Sequence, residues 1–214
     1  MVKYTSKVVL LGDGAVGKTS LVRRYVDNMF SDDYIATIGV NVKKKTLEKY
    51  DMTLQLWDIY GQKSVFPGKH SSNYTGAEAA MVVFDITRLK TFINVKSWIS
   101  GLYKITGKIP VVLLGNKVDV IKDFEKEEGI PFKKASRSDF HQYMVEEHYV
   151  RSIFNEEPEF RPVPLSRFKE WAKEKNPFNK QFPAYLTSAK TGKNVDKAFD
   201  TVGKLVLKNK IKYR

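Results

Sequence analysis

Residues 8–19 have the sequence VVLLGDGAVGKT, which is the most informative segment of the chain. Its first four residues are apolar, as in a buried strand, and the segment over residues 20–27 that follows has a helical pattern. Residues 12–19 match G-x-x-x-x-G-K-[ST]. In this setting the glycines allow backbone N–H groups to wrap around phosphates, and the helix N-terminus adds partial positive charge. The stretch therefore predicts a phosphate-binding loop between a strand and a helix.

The candidate phosphate contacts are the residues of this loop and the one after it: Gly12, Asp13, Gly14, Ala15, Val16, Gly17, Lys18, Thr19 and Ser20. We expect the Lys18 ammonium to reach the β and γ phosphates, and the Thr19 hydroxyl to bind Mg²⁺. The pattern alone does not separate ATP from GTP, or a kinase from a hydrolase.

Strands and helices alternate along most of the chain. Apolar runs predict buried parallel strands at residues 8–11, 79–84, 111–114 and 184–186. Helical spacing of apolar residues follows over 92–102, 165–175 and 195–206, and a hairpin over 40–57 adds an antiparallel edge strand. The pattern predicts an α/β fold with a six-stranded, mostly parallel sheet and helices on both faces.

Length and composition favour one domain over residues 1–214. We expect an insertion at about 121–165, which is rich in charge, aromatics and proline, and a basic C-terminal helix and tail at about 195–214. The chain has no cysteine, which excludes disulfides, thiolate metal sites and prenylation. With no signal peptide and no apolar run long enough to span a bilayer, the expected location is cytoplasmic.

A second motif, Asn116-Lys117-Val118-Asp119, follows the third predicted strand. It therefore lies at the carboxyl edge of the sheet, where open α/β sheets bind ligands. Guanine presents N1–H and an exocyclic amine as paired donors, whereas adenine presents an acceptor at N1. A carboxylate at Asp119 would accept from guanine and repel adenine, so the motif favours a guanine nucleotide.

Together these motifs resemble the small GTPases of the Ras superfamily, and within it the Rab-like branch. Residues 187–190, Thr-Ser-Ala-Lys, resemble the family's last base-binding loop. The resemblance implies a G domain of the P-loop NTPase class that binds GTP and GDP with Mg²⁺. It assigns base contacts to Asn116, Lys117, Asp119, Ser188, Ala189 and Lys190. The Ala189 N–H would contact the guanine carbonyl.

The same resemblance assigns residues around the phosphates and the metal. Phe30 would pack on the guanine, and Tyr34 would cover the phosphates. Thr37 would bind Mg²⁺ and sense the γ phosphate. Asp58, at the end of the second hairpin strand, would hold Mg²⁺ through water.

The resemblance also assigns catalytic roles to residues of the second switch motif. Gly61 would give an N–H to the γ phosphate, and Gln62 would orient the attacking water. With Lys18 and Thr37 they form the expected catalytic set. No arginine lies in the phosphate loop or the first switch, so we expect slow hydrolysis unless a partner supplies one.

The chain departs from the family pattern between Asp58 and Gly61, where Ile59 and Tyr60 replace the usual threonine and alanine. Tyr60 could obstruct the attacking water, donate to a phosphate or point away. The alternative function is a non-cycling guanine-nucleotide scaffold, with hydrolysis impaired by Tyr60 and with interaction through the insertion.

The resemblance also implies an exchange factor, a GTPase-activating protein and effectors as partners, with a role in membrane traffic or signalling. The net charge of +13 leaves open a weak contact of the basic tail with anionic membrane, although lysines near a helix C-terminus also suit the helix dipole. Nucleic-acid binding rests on net charge alone and is not expected. We expect a monomer.

Overall fold

The sheet has six strands in the order β2-β3-β1-β4-β5-β6 across the residues that the structure describes. The structure is a computed structural model and describes residues 4–31, 39–59, 71–127, 162–173, 177–178 and 181–212. The strands are β1 (Tyr4–Leu11), β2 (Val40–Leu47), β3 (Met52–Ile59), β4 (Ala79–Asp85), β5 (Val111–Asn116) and β6 (Ala184–Leu186).

Strands β2 and β3 pair antiparallel, from Val40 opposite Ile59 to Leu47 opposite Met52. The pairs β1–β3, β1–β4, β4–β5 and β5–β6 are parallel. The predicted α/β fold, with a mostly parallel six-stranded sheet and one antiparallel edge strand, is confirmed. Parallel pairing brings the carboxyl ends of β1, β4 and β5 to one edge of the sheet.

Helices cover both faces of this sheet. They are α1 (Lys18–Asp27), α2 (Ser71–Tyr74), α3 (Leu89–Ile93), α4 (Val95–Thr106), α5 (Val118–Glu127), α6 (Leu165–Lys173) and α7 (Val195–Lys212). On one face, side chains of α1 and α7 such as Leu21 and Phe199 pack against Val8 and Leu10 of β1. On the other face, side chains of α3, α4 and α6 pack against Val9 and Leu11. Strand β4 is buried along its whole length.

Two details go beyond the sequence prediction. The apolar spacing over 92–102 suggests one helix, but α3 ends at Ile93 and α4 begins at Val95, with Asn94 between them. Helix α5 begins inside the second motif and runs to Glu127, and Ile121 in its first turn packs into the core, so the predicted insertion begins on a helix that is anchored to the body of the fold. None of the helices among the described residues combines the length and apolar character that a membrane crossing requires.

Candidate nucleotide-binding site

The phosphate loop lies between the end of β1 and the start of α1, and two of its glycines are dictated by space. Gly12 has φ 143° and Gly17 has φ 91°, which other residues rarely adopt. A Cβ at Gly12 would lie 2.1 Å from the Val83 carbonyl oxygen, and one at Gly17 would lie 2.3 Å from Nδ2 of Asn116. The loop therefore packs directly on the ends of β4 and β5.

Lys18 is folded back over this loop. Its Nζ donates to the carbonyl oxygens of Gly12 at 3.0 Å and Asp13 at 2.9 Å, and the residue is only 6% exposed. Burial lowers the pKa of Lys18 to about 8, although the nearby carboxylates of Asp58 and Asp13 act in the opposite direction. A polyanion beside this ammonium would stabilise its charged form, so the position suits a phosphate ligand.

Thr19 and Asp58 meet beside Lys18. The Thr19 hydroxyl donates to Oδ2 of Asp58 at 2.5 Å, and Asp58 is 2% exposed at the end of β3. No cluster of three or more His, Cys, Asp or Glu side chains that would hold a metal alone occurs in the described part of the chain. A hydroxyl and one carboxylate are oxygen donors of the kind Mg²⁺ takes when phosphates and water complete its shell. These two residues therefore fit the expected ion.

Asn116 joins the phosphate loop to the two base motifs. Its Nδ2 donates to the Val16 carbonyl at 3.0 Å, while its Oδ1 accepts from the Thr187 hydroxyl at 3.2 Å and the Ala189 N–H at 3.3 Å. The residue is 1% exposed, so these partners replace water. The predicted contact of the Ala189 N–H with a guanine carbonyl stays a prediction.

The base motifs themselves lie side by side. The Val118 N–H donates to the Thr187 carbonyl at 3.2 Å, which brings the start of α5 against the end of β6. Asp119 lies in the first turn of α5 and is partly exposed. Ser188 is fully buried, and its hydroxyl accepts from the Thr191 N–H at 3.0 Å. The loop after β6 is thus held in place from within.

Arg24 of α1 was not predicted, and it ties the last base motif to Phe30. Its Nε and Nη2 donate to the carbonyl oxygens of Ala189 and Lys190, both at 2.7 Å. Its guanidinium lies 5.9 Å from the centre of the Phe30 ring. Phe30 packs at the edge of the core on this side of the sheet, so it lies near the motif whose bound base it is expected to cover.

A second unpredicted contact holds the phosphate loop from its other side. The Asp13 carboxylate accepts from Asn94 Nδ2 at 2.6 Å and from Trp98 Nε1 at 2.7 Å. Asn94 is the N-cap residue of α4 and Trp98 lies four residues later, so the two side chains reach the same side of this helix. The local sequence offers one signal for this contact, namely polar groups at helical spacing on an otherwise apolar face.

A third unpredicted group lies at the end of β4. Asp85 pairs with Lys117 of the base motif and with Arg88, and Arg88 Nη2 donates to the Gly14 carbonyl at 3.0 Å. The signal in the sequence is a carboxylate that ends an apolar strand at the ligand-binding edge of the sheet.

Several predicted site residues lie outside the described residues: Tyr34, Thr37, Gly61 and Gln62. Tyr60, the unusual residue of the second switch motif, also lies outside them. Its neighbour Ile59 ends β3, is 1% exposed and belongs to the core, where its larger apolar side chain packs in place of the usual threonine.

The model of the Ras family matches residues 7–208 of the chain. The chain belongs to the Ras family. This Ras-family chain is 34% identical over 210 residues to the Ras-related protein Rab7 of Cenchrus ciliaris, covering 95% of the chain and 82% of that relative. It is 37% identical over 149 residues to the Ras-related protein RABD1 of Arabidopsis thaliana, covering 64% of the chain and 72% of that relative. RABG3f of Arabidopsis thaliana is 32% identical over 210 residues, covering 95% of the chain and 82% of its own length.

These relatives confirm the Rab-like resemblance of the motifs. Membership in the family makes the chain a small GTPase, a class of proteins that bind GTP and GDP. The three motifs that carry this identification lie at one edge of the sheet and contact one another through Asn116.

Proposed function

We propose that the chain is a molecular switch that binds GTP and GDP with Mg²⁺ and hydrolyses GTP slowly on its own. The observation that carries the proposal is the convergence on Asn116, a residue of the first base motif whose side chain contacts the phosphate loop and the second base motif. Because these three segments are far apart in sequence, their contact supports one composite site for both ends of a nucleotide.

Lys18 is proposed to bind the β and γ phosphates. Its ammonium now donates to two carbonyls of its own loop, and it would exchange them for phosphate oxygens. Thr19, Thr37 and Asp58 would hold Mg²⁺, which when bound neutralises charge on the phosphate oxygens. Asp119 would read the guanine, with Asn116, Lys117, Ser188, Ala189 and Lys190 around the base.

Gln62 is proposed to orient the water that attacks the γ phosphate, with the Gly61 N–H donating to that phosphate. Among the described residues, Arg88 contacts the phosphate loop, and its guanidinium is already engaged with Asp85 and the Gly14 carbonyl. We therefore expect slow intrinsic hydrolysis and a large acceleration by a partner that supplies an arginine.

The wider assignments follow the family. We propose one G domain over residues 1–214 with an insertion at about 121–165, acting as a cytoplasmic monomer. Its partners would be an exchange factor, a GTPase-activating protein and effectors, in membrane traffic or signalling. The basic segment at about 195–214 would add a weak contact with anionic membrane.

Single-turnover hydrolysis tests the proposal. Purified protein is loaded with GTP and Mg²⁺, and product GDP is measured over time for the wild type, Gln62→Leu and Tyr60→Ala. We expect slow hydrolysis by the wild type, and at least about a 10-fold loss in Gln62→Leu, because the variant can no longer orient the water. Equal GTP binding by all three proteins is the control.

Two results would contradict the proposal. If the wild type binds GTP tightly, does not hydrolyse it, and gains hydrolysis through Tyr60→Ala, the chain is the non-cycling scaffold. If the wild type binds no guanine nucleotide, both functions are wrong.

A further inference from the structure

Asp85 is a buried carboxylate between the two ends of the nucleotide site. It ends β4, and its side chain is 1% exposed. Its Oδ1 accepts from the Thr87 N–H at 2.9 Å and from the Thr87 hydroxyl at 2.7 Å. Its Oδ2 lies 2.9 Å from Lys117 Nζ and 3.0 Å from Arg88 Nε. Both oxygens are therefore fully engaged, and Oδ2 is shared by two cations.

The two cations lead to different parts of the site. Lys117 belongs to the base motif, and its backbone has φ 66°, in the left-handed region. Arg88 uses the other end of its guanidinium to donate to the Gly14 carbonyl in the phosphate loop, at 3.0 Å. A single carboxylate thus connects the segment that reads the base to the segment that cradles the phosphates.

The carboxylate remains charged in this position. Burial alone raises the pKa of Asp85, but the charges of Lys117 and Arg88 and the hydrogen bond from Thr87 outweigh it and lower the pKa to about 2. Removing one of the cations would leave the buried Asp85 carboxylate without one of its partners, which costs more than the pair contributes when complete. If Asp85 were removed instead, Arg88 and Lys117 would each lose the anion that fixes their geometry.

The side chains of Lys117 and Arg88 are partly exposed, so they can contact a ligand while Asp85 anchors them to the fold. The Lys117 side chain is 34% exposed and that of Arg88 is 19% exposed, while the carboxylate between them is closed off from water. A flexible lysine at a site surface loses side-chain entropy when a ligand fixes it, and a tether that fixes it beforehand reduces this loss.

We propose that Asp85 is a positioning residue for the guanine nucleotide, because it holds Lys117 at the base and Arg88 at the phosphate loop. The proposal rests on the proposed function. Its consequence is that loss of this one carboxylate loosens the site at both ends, although Asp85 itself is closed off from the ligand.

The test measures the release of GDP carrying a fluorescent label from the wild type, Asp85→Asn and Asp27→Asn. Asp85→Asn keeps the side-chain shape and removes the charge, and we expect release to be about 10-fold to 100-fold faster. Asp27 is the matched control, because it pairs with one lysine, Lys43, at the surface, with side-chain exposures of 29% and 36%. Its variant should release GDP within about 2-fold of the wild type.

A double-mutant cycle separates positioning from general destabilisation. If Asp85 acts through Lys117, Lys117→Ala should speed release strongly in the wild type and much less in the Asp85→Asn background. Additive effects of the two substitutions would overturn the proposal, and so would wild-type release by Asp85→Asn. Thermal unfolding of each variant is recorded beside the rates.

Arg88→Gln tests the contact with the phosphate loop by itself. It also keeps the proposal testable if Asp85→Asn does not fold. It removes the charge of a partly exposed side chain, and we expect GDP release to be several-fold faster, with a smaller change for GMP because GMP lacks the β phosphate. Equal effects on GDP and GMP, or no effect, would overturn the proposal. A wild type that binds no GDP would instead refute the proposed function.

Discussion

The carboxyl edge of β1, β4 and β5 and the β2–β3 hairpin are built in opposite ways. At the carboxyl edge, Asn116 and Asp85 are each 1% exposed, and their contacts join segments that are distant in sequence. At the hairpin, β2 is at most half-buried along its length and carries Lys43, Lys44 and Lys45. Buried contacts fix the first region, which carries the candidate nucleotide-binding residues, in one arrangement, whereas β2 of the second region is an edge strand whose charges discourage pairing with other chains.

The two regions should respond differently to substitution. A polar contact in the buried network has no water to replace it, so its loss costs stability and ligand affinity together. A polar contact on the exposed edge strand β2 has water beside it, so its loss should cost little. Matched substitutions in the two regions test this difference.

The largest effect is expected for Gly17→Ala. Its Cβ would lie 2.3 Å from Nδ2 of Asn116, and φ 91° is strained for alanine. We expect a loss of about 3 kcal/mol in the free energy of unfolding and loss of measurable GDP binding. Denaturant unfolding and GDP titration measure both. Gly14→Ala is the control for stability, since a Cβ there meets nothing within 4 Å. Equal stability of the two variants would contradict the account.

The next comparison is between two tryptophan-to-phenylalanine changes, one beside the phosphate loop and one in the hairpin. Trp98 Nε1 donates to the Asp13 carboxylate at 2.7 Å, so Trp98→Phe should cost about 2 kcal/mol of unfolding free energy and weaken GDP binding. Trp57 lies in the hairpin strand β3, and within the described residues its buried Nε1 has no hydrogen-bond partner. Trp57→Phe should therefore cost less than about 1 kcal/mol. A larger loss for Trp57→Phe than for Trp98→Phe would reverse the expected order.

Gly203→Ala is another glycine-to-alanine change, next to the hairpin, and we expect it to change the free energy of unfolding less than Gly17→Ala does. Its Cβ would lie 2.6 Å from Cδ1 of Leu47, the end of a flexible side chain of β2. Gly203 lies inside α7, where alanine favours the helix by about 0.5–1 kcal/mol, which offsets the cost of moving Leu47. We expect a change within about 1 kcal/mol in thermal unfolding and unchanged GDP release. Loss of GDP binding would show that the two regions are coupled.

The smallest effect is expected for Lys43→Ala. Its Nζ lies 3.0 Å from the Asp27 carboxylate, but both side chains are well exposed. An exposed ion pair of this kind contributes less than about 1 kcal/mol, and less in high salt. Urea unfolding at low and high salt should find a difference from the wild type that is near zero at high salt. A loss of more than about 1 kcal/mol in the free energy of unfolding that does not depend on salt would contradict the expected difference between the two regions.

The sequence predicted the sheet because its buried strands are continuous apolar runs and its hairpin strands alternate. It predicted the phosphate loop and the base motifs because each is a short local pattern. The break at Asn94 was missed, since the apolar spacing continues from Phe92 to Val95 across it.

The contacts that hold the site together were also missed, for a physical reason. Asn116 meets Val16 because parallel pairing brings separate strand ends to one edge, and Asp13 meets Trp98 because α4 packs beside the phosphate loop. A local pattern marks such a residue as a polar group in an apolar setting, but it does not identify a partner so far along the chain. The roles of Tyr34, Thr37, Gly61 and Gln62, which lie outside the described residues, stay predictions.

The most direct measurement is calorimetric titration of the wild type with GDP and with ADP, both in the presence of Mg²⁺. We expect GDP to bind at least about 1,000-fold more tightly than ADP, because the Asp119 carboxylate, as proposed, would accept from the donors of guanine and oppose the N1 acceptor of adenine. Equal affinities for the two nucleotides, or binding of neither, would contradict it.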